Sequence, residues 1–157
     1  MKLMMIVAAA VLVLTLRVEA QTQTVVFVCE HGAAKSVVAA AHFNKLAAER
    51  GLPFRAVSRG TAHDPLVPAP ISNGLASEKL TVPSGFKPTP VAANDVAGAS
   101  KVVTFDVTLP VASDVSKVSR WDKMPAFSDG YAPASAAIAA RVEALVNELA
   151  AGVKKKD

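Results

Sequence analysis

The residues best suited to chemistry lie in one short segment that contains Cys29, Lys35 and Ser36. Residues 25–28 before the cysteine are Val-Val-Phe-Val, and residues 32–34 after it are Gly-Ala-Ala. This order predicts a buried strand, a tight loop of small residues and the N-terminus of a helix. The inward-pointing N–H groups of such a loop, together with the helix dipole, bind phosphate-like anions. A thiol in that field is favoured as the thiolate, the form that a nucleophilic cysteine requires.

The segment therefore predicts a nucleophilic displacement at a tetrahedral oxyanion. Cys29 would attack phosphorus in line, and water would then hydrolyse the cysteinyl-phosphate. Lys35 would balance charge on the equatorial oxygens, and Ser36 would donate a hydrogen bond to the thiolate. The predicted oxyanion-binding loop consists of Glu30, His31, Gly32, Ala33, Ala34, Lys35 and Ser36.

Several of these residues have simpler interpretations. Cys29, the single cysteine of the chain, is alternatively a small buried hydrophobic residue, although its place between a strand and a glycine-containing loop favours a function. His31 could be a proton donor or a metal ligand, but a solvated side chain or a partner in the loop's own hydrogen bonding is the preferred interpretation, because no second ligand lies near it in the sequence. His42 and His63 also lack ligand spacing, so we expect no metal and no cofactor. Glu30 is expected to point to solvent, since facing inward it would repel a dianion.

The first twenty residues are predicted to be a secretory signal peptide. A basic start at Lys2 precedes the apolar run 3–16, and Val-Glu-Ala at 18–20 resembles a cleavage site. An uncleaved membrane anchor is the alternative, but the run is shorter than the roughly 20 apolar residues of a membrane span. We expect residues 21–157 to form one exported domain, periplasmic or secreted, with membrane contact only through an uncleaved leader.

The charge distribution argues against nucleic-acid binding. The chain has 17 basic and 13 acidic residues, a formal net charge of +4, and much of the excess is the tail at 154–156. The other basic residues are scattered and aromatic residues are few, whereas a nucleic-acid groove interleaves basic and stacking residues. A single cysteine also excludes an intramolecular disulfide. The expected ligand is a phosphate-like oxyanion, a phosphomonoester or a phosphoprotein.

Hydrophobic periodicity predicts an α/β layer fold with a parallel sheet, since strands alternate with helices. The predicted strands are 24–28, 54–58, 101–105 and 117–120. The predicted helices are 36–50, 71–79 and 134–151, with a weakly helical stretch at 91–98 and a loop at 121–133.

The sequence resembles the low-molecular-weight protein tyrosine phosphatases and the related thioredoxin-coupled arsenate reductases. Their motif is Cys, five residues, Arg and Ser directly after the first strand, and Cys29, Lys35 and Ser36 match it with lysine replacing arginine. Ser-Arg-Gly-Thr at 58–61 resembles the family's Ser-Ala-Gly-Thr, and 102–105 falls at its third central strand. The resemblance implies a three-layer α/β/α fold with a central parallel four-stranded sheet. It also implies a cysteine-dependent phosphatase.

The departures from the family pattern concern the charged groups. Lysine lacks the planar fork with which arginine binds two oxygens of an oxyanion. Met-Pro at 124–125 stands about where the family has its Asp-Pro general acid, so Asp122 or Asp129 is the expected substitute. Asp122 is preferred because it follows a tryptophan, as in the reductase branch. Ser58 is expected to support the loop, and Tyr131 either lines the pocket mouth or packs against the last helix.

Three functions remain open at this point. The first is a phosphatase-like hydrolase of phosphomonoesters. The second is an arsenate reductase that uses an external thiol, since the two further cysteines of the reductases' internal relay are missing. The third is a non-catalytic module that binds oxyanions or phosphoproteins. The hydrolase is preferred because the cysteine, the serine and the loop length are retained together.

Overall fold

The computed structural model describes residues 21–155, so the predicted signal peptide lies outside the described residues. The strands are β1 (Gln23–Cys29), β2 (Phe54–Gly60), β3 (Lys101–Thr104) and β4 (Val118–Arg120). The α-helices are α1 (Lys35–Glu49), α2 (Ala69–Ser77), α3 (Ala93–Gly98) and α4 (Tyr131–Lys154). Two short 3-10 helices occupy Val115–Lys117 and Phe127–Asp129.

The four strands form one parallel sheet, as predicted, and their order in it is β2-β1-β3-β4. β1 lies in the interior of the sheet, and residues 25–28 have no exposed surface. A strand covered on both faces needs a continuous apolar sequence, which explains the β-branched run of β1.

Side chains of β1 alternate between two cores, which makes the fold three-layered. Val25, Phe27 and Cys29 belong to the larger core, which contains residues of α1 and α4. Val26 and Val28 belong to a smaller core on the opposite face, beside α3. Cys29 therefore ends β1 on the face covered by α1, the helix that begins at the other end of its loop.

An aromatic cluster packs together the strand ends at the carboxyl edge of the sheet. Phe27 packs against Phe43, Phe105 and Trp121, with ring centroids 5.7 to 6.3 Å apart. Phe105 and Trp121 meet edge to face at 5.6 Å, the geometry that aromatic pairs prefer. The cluster ties the ends of β1, β3 and β4 to α1.

Several element boundaries differ from the sequence prediction, among them the end of β2 and the start of α4. β2 extends to Gly60, because Gly60 pairs with Cys29 and bridges to Pro90. The predicted loop at 121–133 contains a 3-10 helix and the first turn of α4, which begins at Tyr131. Pro133 is compatible with this start, since the first turn of a helix does not need its N–H. Within residues 21–155, no helix combines the length and the hydropathy of a membrane-spanning segment.

Candidate active site

The loop after β1 forms one wall of a cleft at the carboxyl ends of β1 and β3. Cys29 is the last residue of β1, and Lys35 is the first residue of α1. The cleft has a volume of about 180 Å³. Its lining residues are Cys29, Glu30, His31, Ala34, Lys35, Phe105, Asp106 and Val107.

Two glycines allow the loop to pack directly against the end of β2. Gly32 has a φ of 63°, which favours glycine, and a Cβ there would lie 2.8 Å from the Gly60 nitrogen. A Cβ on Gly60 would lie 2.9 Å from the Gly32 nitrogen. The loop therefore packs against the end of β2 at Gly60. In this arrangement the Gly32 N–H donates to the Cys29 Sγ at 3.2 Å.

The sulfur of Cys29 lies at the end of a chain of hydroxyl groups. The Cys29 side chain is buried, and the Ser36 Oγ is 3.0 Å from its Sγ. The Ser58 hydroxyl donates to the Ser36 Oγ at 2.8 Å or to the Gly32 carbonyl at 3.2 Å. When Ser58 donates to Ser36, the Ser36 proton is free to point at the sulfur, because each hydroxyl has one proton. Two donors, Ser36 and the Gly32 N–H, can then stabilise a negatively charged sulfur.

Lys35 is paired with an aspartate that the sequence analysis missed. Its Nζ lies 2.9 Å from the Asp106 Oδ2, and both residues line the cleft. Asp106 has a φ of 53°, and its Oδ1 accepts the Lys123 N–H at 2.8 Å. The Lys123 N–H and then the Lys35 ammonium lower the pKa of the Asp106 carboxyl, so it is ionised at neutral pH. The cation of the loop is therefore matched by an anion at the same cleft.

The two aspartates expected to act as general acid do not line the cleft. The Asp122 Oδ1 accepts the Asp106 N–H at 3.1 Å, and its Oδ2 accepts from the Arg120 Nε at 3.0 Å. The Asp122 carboxylate is thus bound by the Asp106 backbone and the Arg120 side chain, and it is not among the residues that line the cleft. Asp129 is exposed in the second 3-10 helix, where its carboxylate contacts the Ser128 hydroxyl.

Among the other predicted loop residues, His31 and Glu30 line the cleft, while Ala33 is buried beneath it. The His31 Nδ1 lies 3.2 Å from the Asp64 Oδ1, and its Nε2 lies 3.7 Å from the Glu30 Oε2. The Glu30 side chain is 66% exposed and that of His31 is 55% exposed. Both are therefore open to solvent at the mouth of the cleft.

Comparison with known proteins identifies the fold and the family of the chain. No protein-family model matches the sequence, and no curated protein matches it. Among solved structures, an arsenate reductase from Archaeoglobus fulgidus is 30% identical with a TM-score of 0.62. The match covers 78% of this chain and 98% of the reductase. The chain belongs to the family of low-molecular-weight protein tyrosine phosphatases and arsenate reductases.

Other members of the family share the fold at lower identity. A low-molecular-weight protein tyrosine phosphatase from T. tengcongensis is 16% identical with a TM-score of 0.73, over 80% of this chain and 99% of the phosphatase. A thioredoxin-dependent arsenate reductase from Corynebacterium glutamicum is 18% identical with a TM-score of 0.74. That match covers 86% of this chain and 65% of the reductase chain.

Arg59 does not supply the guanidinium that Lys35 lacks, because its side chain is not among those that line the cleft. Its Nε and Nη2 bind the two carboxylate oxygens of Asp95 at 3.0 and 2.8 Å. Asp95 is in α3, on the face of the sheet opposite α1. The pairing, a fork-to-fork geometry, occupies the guanidinium away from the cleft.

Tyr131 lies at the contact between α2 and α4. Its hydroxyl donates to the Glu78 Oε2 at 3.0 Å, and its ring faces Gly74. Burial, reinforced by the Glu78 carboxylate, raises the pKa of Tyr131 to about 12. Tyr131 is outside the set of residues that line the cleft, whereas Ser58 is brought into contact with the loop.

Within the part of the chain that the structure describes, no group of three or more His, Cys, Asp or Glu side chains is arranged to hold a metal ion.

Proposed function

We propose that the protein hydrolyses phosphomonoesters through a cysteinyl-phosphate on Cys29. The observation that carries the proposal is the buried Cys29 sulfur, which lies 3.0 Å from the Ser36 Oγ and accepts the Gly32 N–H. Its loop opens onto a cleft. The unpaired N–H groups at the start of α1 would bind the phosphoryl oxygens. Aryl phosphates and phosphotyrosine in proteins are the proposed substrate class.

Two displacements at phosphorus complete the reaction. In the first, the Cys29 thiolate forms an S–P bond as the P–O bond to the leaving alcohol breaks, and the leaving oxygen takes up a proton. In the second, water attacks the cysteinyl-phosphate, which releases phosphate and the thiolate. Ser36 stabilises the thiolate each time it is the leaving group, which a donor 3.0 Å from the sulfur can do.

Lys35 supplies the charge that the family's arginine supplies, with less geometric fit. Its ammonium is a point charge, and Asp106 competes for it at 2.9 Å. We therefore expect slower turnover than a site with an arginine fork would give, since transition-state stabilisation is reduced.

The proposal is tested by hydrolysis of p-nitrophenyl phosphate by the purified protein and by its Cys29→Ser variant. We expect the variant to lose at least about a thousandfold in rate, because the nucleophile is removed. Equal background rates from both proteins would exclude the hydrolase. Phosphate binding without any Cys29-dependent turnover would instead identify a non-catalytic oxyanion-binding module.

Arsenate reduction is the second candidate, favoured by the 30% identity to the Archaeoglobus fulgidus arsenate reductase. Cys29 would displace water from arsenate and form an S–As bond. An external thiol would then attack the Cys29 sulfur, giving a mixed disulfide and arsenite, and a second thiol would release Cys29. Arsenic is reduced by two electrons and two external thiols are oxidised to a disulfide.

This second activity has its own readout. Arsenate-dependent oxidation of glutathione or dithiothreitol, absent in Cys29→Ser and absent with phosphate, would support it. No arsenate-dependent oxidation of either thiol, beside Cys29-dependent release of p-nitrophenol, would assign the hydrolase alone.

We also propose that the protein is exported, on the basis of the leader pattern at 1–20. Expression of the full chain in a bacterial host, followed by mass measurement of the periplasmic protein, tests this. The expected mass is that of a chain beginning at Gln21, whereas a protein of full mass in the cytoplasm would contradict export.

A further inference from the structure

The proposed hydrolysis needs a proton donor for the leaving oxygen. Asp122 and Asp129 do not line the cleft, and both carboxylate oxygens of Asp122 already accept hydrogen bonds. Asp106 lines the cleft, but it is the ion-pair partner of Lys35 and its pKa is lowered by the Lys123 N–H and by Lys35. An ionised carboxylate has no proton to give, so the donor must be another group at the cleft.

His31 is the one histidine among the residues that line the cleft, and an imidazole is the side chain that most often serves in general acid–base catalysis. It stands two residues after Cys29 in the loop itself. Its position is fixed because the loop backbone pairs with the segment after β2. The N–H groups of Thr61, Ala62 and Asp64 donate to the carbonyls of Cys29, Glu30 and His31 at 3.1, 2.8 and 2.9 Å.

That pairing also brings Asp64 beside the imidazole. The Asp64 Oδ1 lies 3.2 Å from the His31 Nδ1, at ion-pair distance, so the carboxylate faces Nδ1 and leaves Nε2 as the atom that exchanges a proton. A carboxylate that fixes the tautomer and ring orientation of a histidine is a recurrent element of acid–base sites. The Asp64 side chain is 41% exposed and that of His31 is 55% exposed, so protons can exchange with solvent.

The charged groups around the imidazole come from three segments. Glu30, next to His31, places its Oε2 3.7 Å from Nε2, and Asp64 faces Nδ1. Lys35 and Asp106 line the same cleft and neutralise each other. The surroundings of His31 therefore contain two carboxylates and no unmatched cation.

We propose that His31, oriented by Asp64, is the proton donor of the hydrolysis. This inference rests on the proposed function. In the first displacement, the Nε2–H proton passes to the leaving oxygen as the S–P bond forms and the P–O bond breaks. In the second, Nε2 accepts a proton from the attacking water as the S–P bond breaks, which restores the thiolate and the imidazolium. Asp64 is a positioning residue, because it acts through the orientation of His31.

A comparison of leaving groups tests the proposal. The substrates are p-nitrophenyl phosphate, whose leaving group departs without much protonation, and phenyl phosphate, whose leaving group needs it. For His31→Asn we expect kcat/KM, which reports the first displacement, to fall by about a hundredfold with phenyl phosphate and by less than about fivefold with p-nitrophenyl phosphate. His31→Gln should show the same pattern, which separates loss of the proton from local rearrangement.

Two further variants complete the design. Asp64→Asn should lose about tenfold with phenyl phosphate and keep the leaving-group dependence, since a positioning residue is weakened rather than removed. His63→Asn, a change at the exposed histidine beside Asp64, should match the wild type with both substrates. In the wild type, the limb of the pH–rate profile that reports a required acid should be present, and it should be absent in His31→Asn.

Several results would overturn the proposal. Equal losses of kcat/KM with both substrates would make His31 a binding or structural residue, and unchanged rates would remove it from the reaction. A selective loss with phenyl phosphate in Asp106→Asn or Asp122→Asn, without one in His31→Asn, would place the acid there. If the wild type shows no Cys29-dependent hydrolysis of p-nitrophenyl phosphate, the proposed function fails and His31 has no role in it. Cys29-dependent hydrolysis that is insensitive to His31 would refute this inference alone.

Discussion

Replacing Asp106 by asparagine should increase the affinity of the cleft for phosphate. Asp106 accepts the Lys123 N–H at 2.8 Å and the Lys35 ammonium at 2.9 Å. An asparagine has the same shape, and its carbonyl can still accept from Lys123. It also tolerates the φ of 53° better than most residues. Its amide group is a donor where the second oxygen was, so the ammonium of Lys35 is released toward the cleft.

The size of the effect follows from the charge that is removed. A phosphate dianion bound at the Lys35 ammonium would lie roughly 6 Å from the Asp106 carboxylate, and these charges repel by about 1.4 to 2.8 kcal/mol at an effective dielectric constant of about 40 to 80. Loss of the partly exposed ion pair offsets at most about 1 kcal/mol of this gain in binding, because Lys35 is then less well positioned. The dissociation constant for phosphate should therefore fall by about two- to a hundredfold.

Calorimetric titration with inorganic phosphate near neutral pH measures this change directly. Glu143→Gln is the matched control, because it removes one carboxylate from α4, where the side chain is 60% exposed and outside the cleft lining. Its affinity should equal that of the wild type within about twofold, since an exposed charge beyond a Debye length of about 8 to 10 Å is screened. An unchanged or weaker affinity in Asp106→Asn, with an unchanged melting temperature, would refute the view that Asp106 competes with the ligand for Lys35.

Three other changes have definite expected outcomes. Ser36→Ala should slow alkylation of Cys29 by iodoacetamide at neutral pH by about tenfold, because a hydrogen bond to a charged acceptor is worth about 1.5 to 3 kcal/mol; an unchanged rate would show that Ser36 does not stabilise the thiolate. Gly74→Ala should lower stability by about 1 to 3 kcal/mol in urea unfolding, since the new methyl group would overlap the Tyr131 ring. Because Tyr131 is the single tyrosine, an ultraviolet titration should give a phenol pKa of about 12. Since this pKa is raised in the folded protein, the free energy of unfolding should decrease as the pH rises above about 10. A titration midpoint at the ordinary value would contradict the part-buried contact with Glu78.

The parallel sheet and the loop after β1 were predictable because their signals are local. The β-branched run of β1 leads directly into the glycine-containing loop and the first turn of α1, and each step is visible in the order of residues. Cys29, Ser36 and Gly32 are therefore brought together by a segment shorter than ten residues. Ser58 was predictable for a similar reason, since it stands two register positions before the end of the pairing between β1 and β2.

The charges around the loop were harder to predict because tertiary pairing decides them. Lys35 and Asp106 are 71 positions apart in sequence, and they meet because β1 and β3 are neighbours. A signal did exist, since Asp106 follows the strand β3 almost directly, and the carboxyl ends of adjacent parallel strands share one edge. Asp129 and Asp122 were chosen by spacing from the family pattern, which does not report which carboxylate oxygens are already occupied.

Charge at the cleft explains how a lysine fits into a loop that normally has an arginine. An arginine fork holds two oxygens of the ligand by geometry, whereas an ammonium must be positioned by a partner. Asp106 provides that position, but it also cancels the charge, so the net attraction for an anion falls to the N–H groups at the start of α1. With so little unmatched positive charge, the proposed reaction would need a protonated group beside the cleft when a dianion binds and its leaving oxygen departs. The contact between His31 and Asp64 lies at the mouth of the same cleft, where our proposal places that proton.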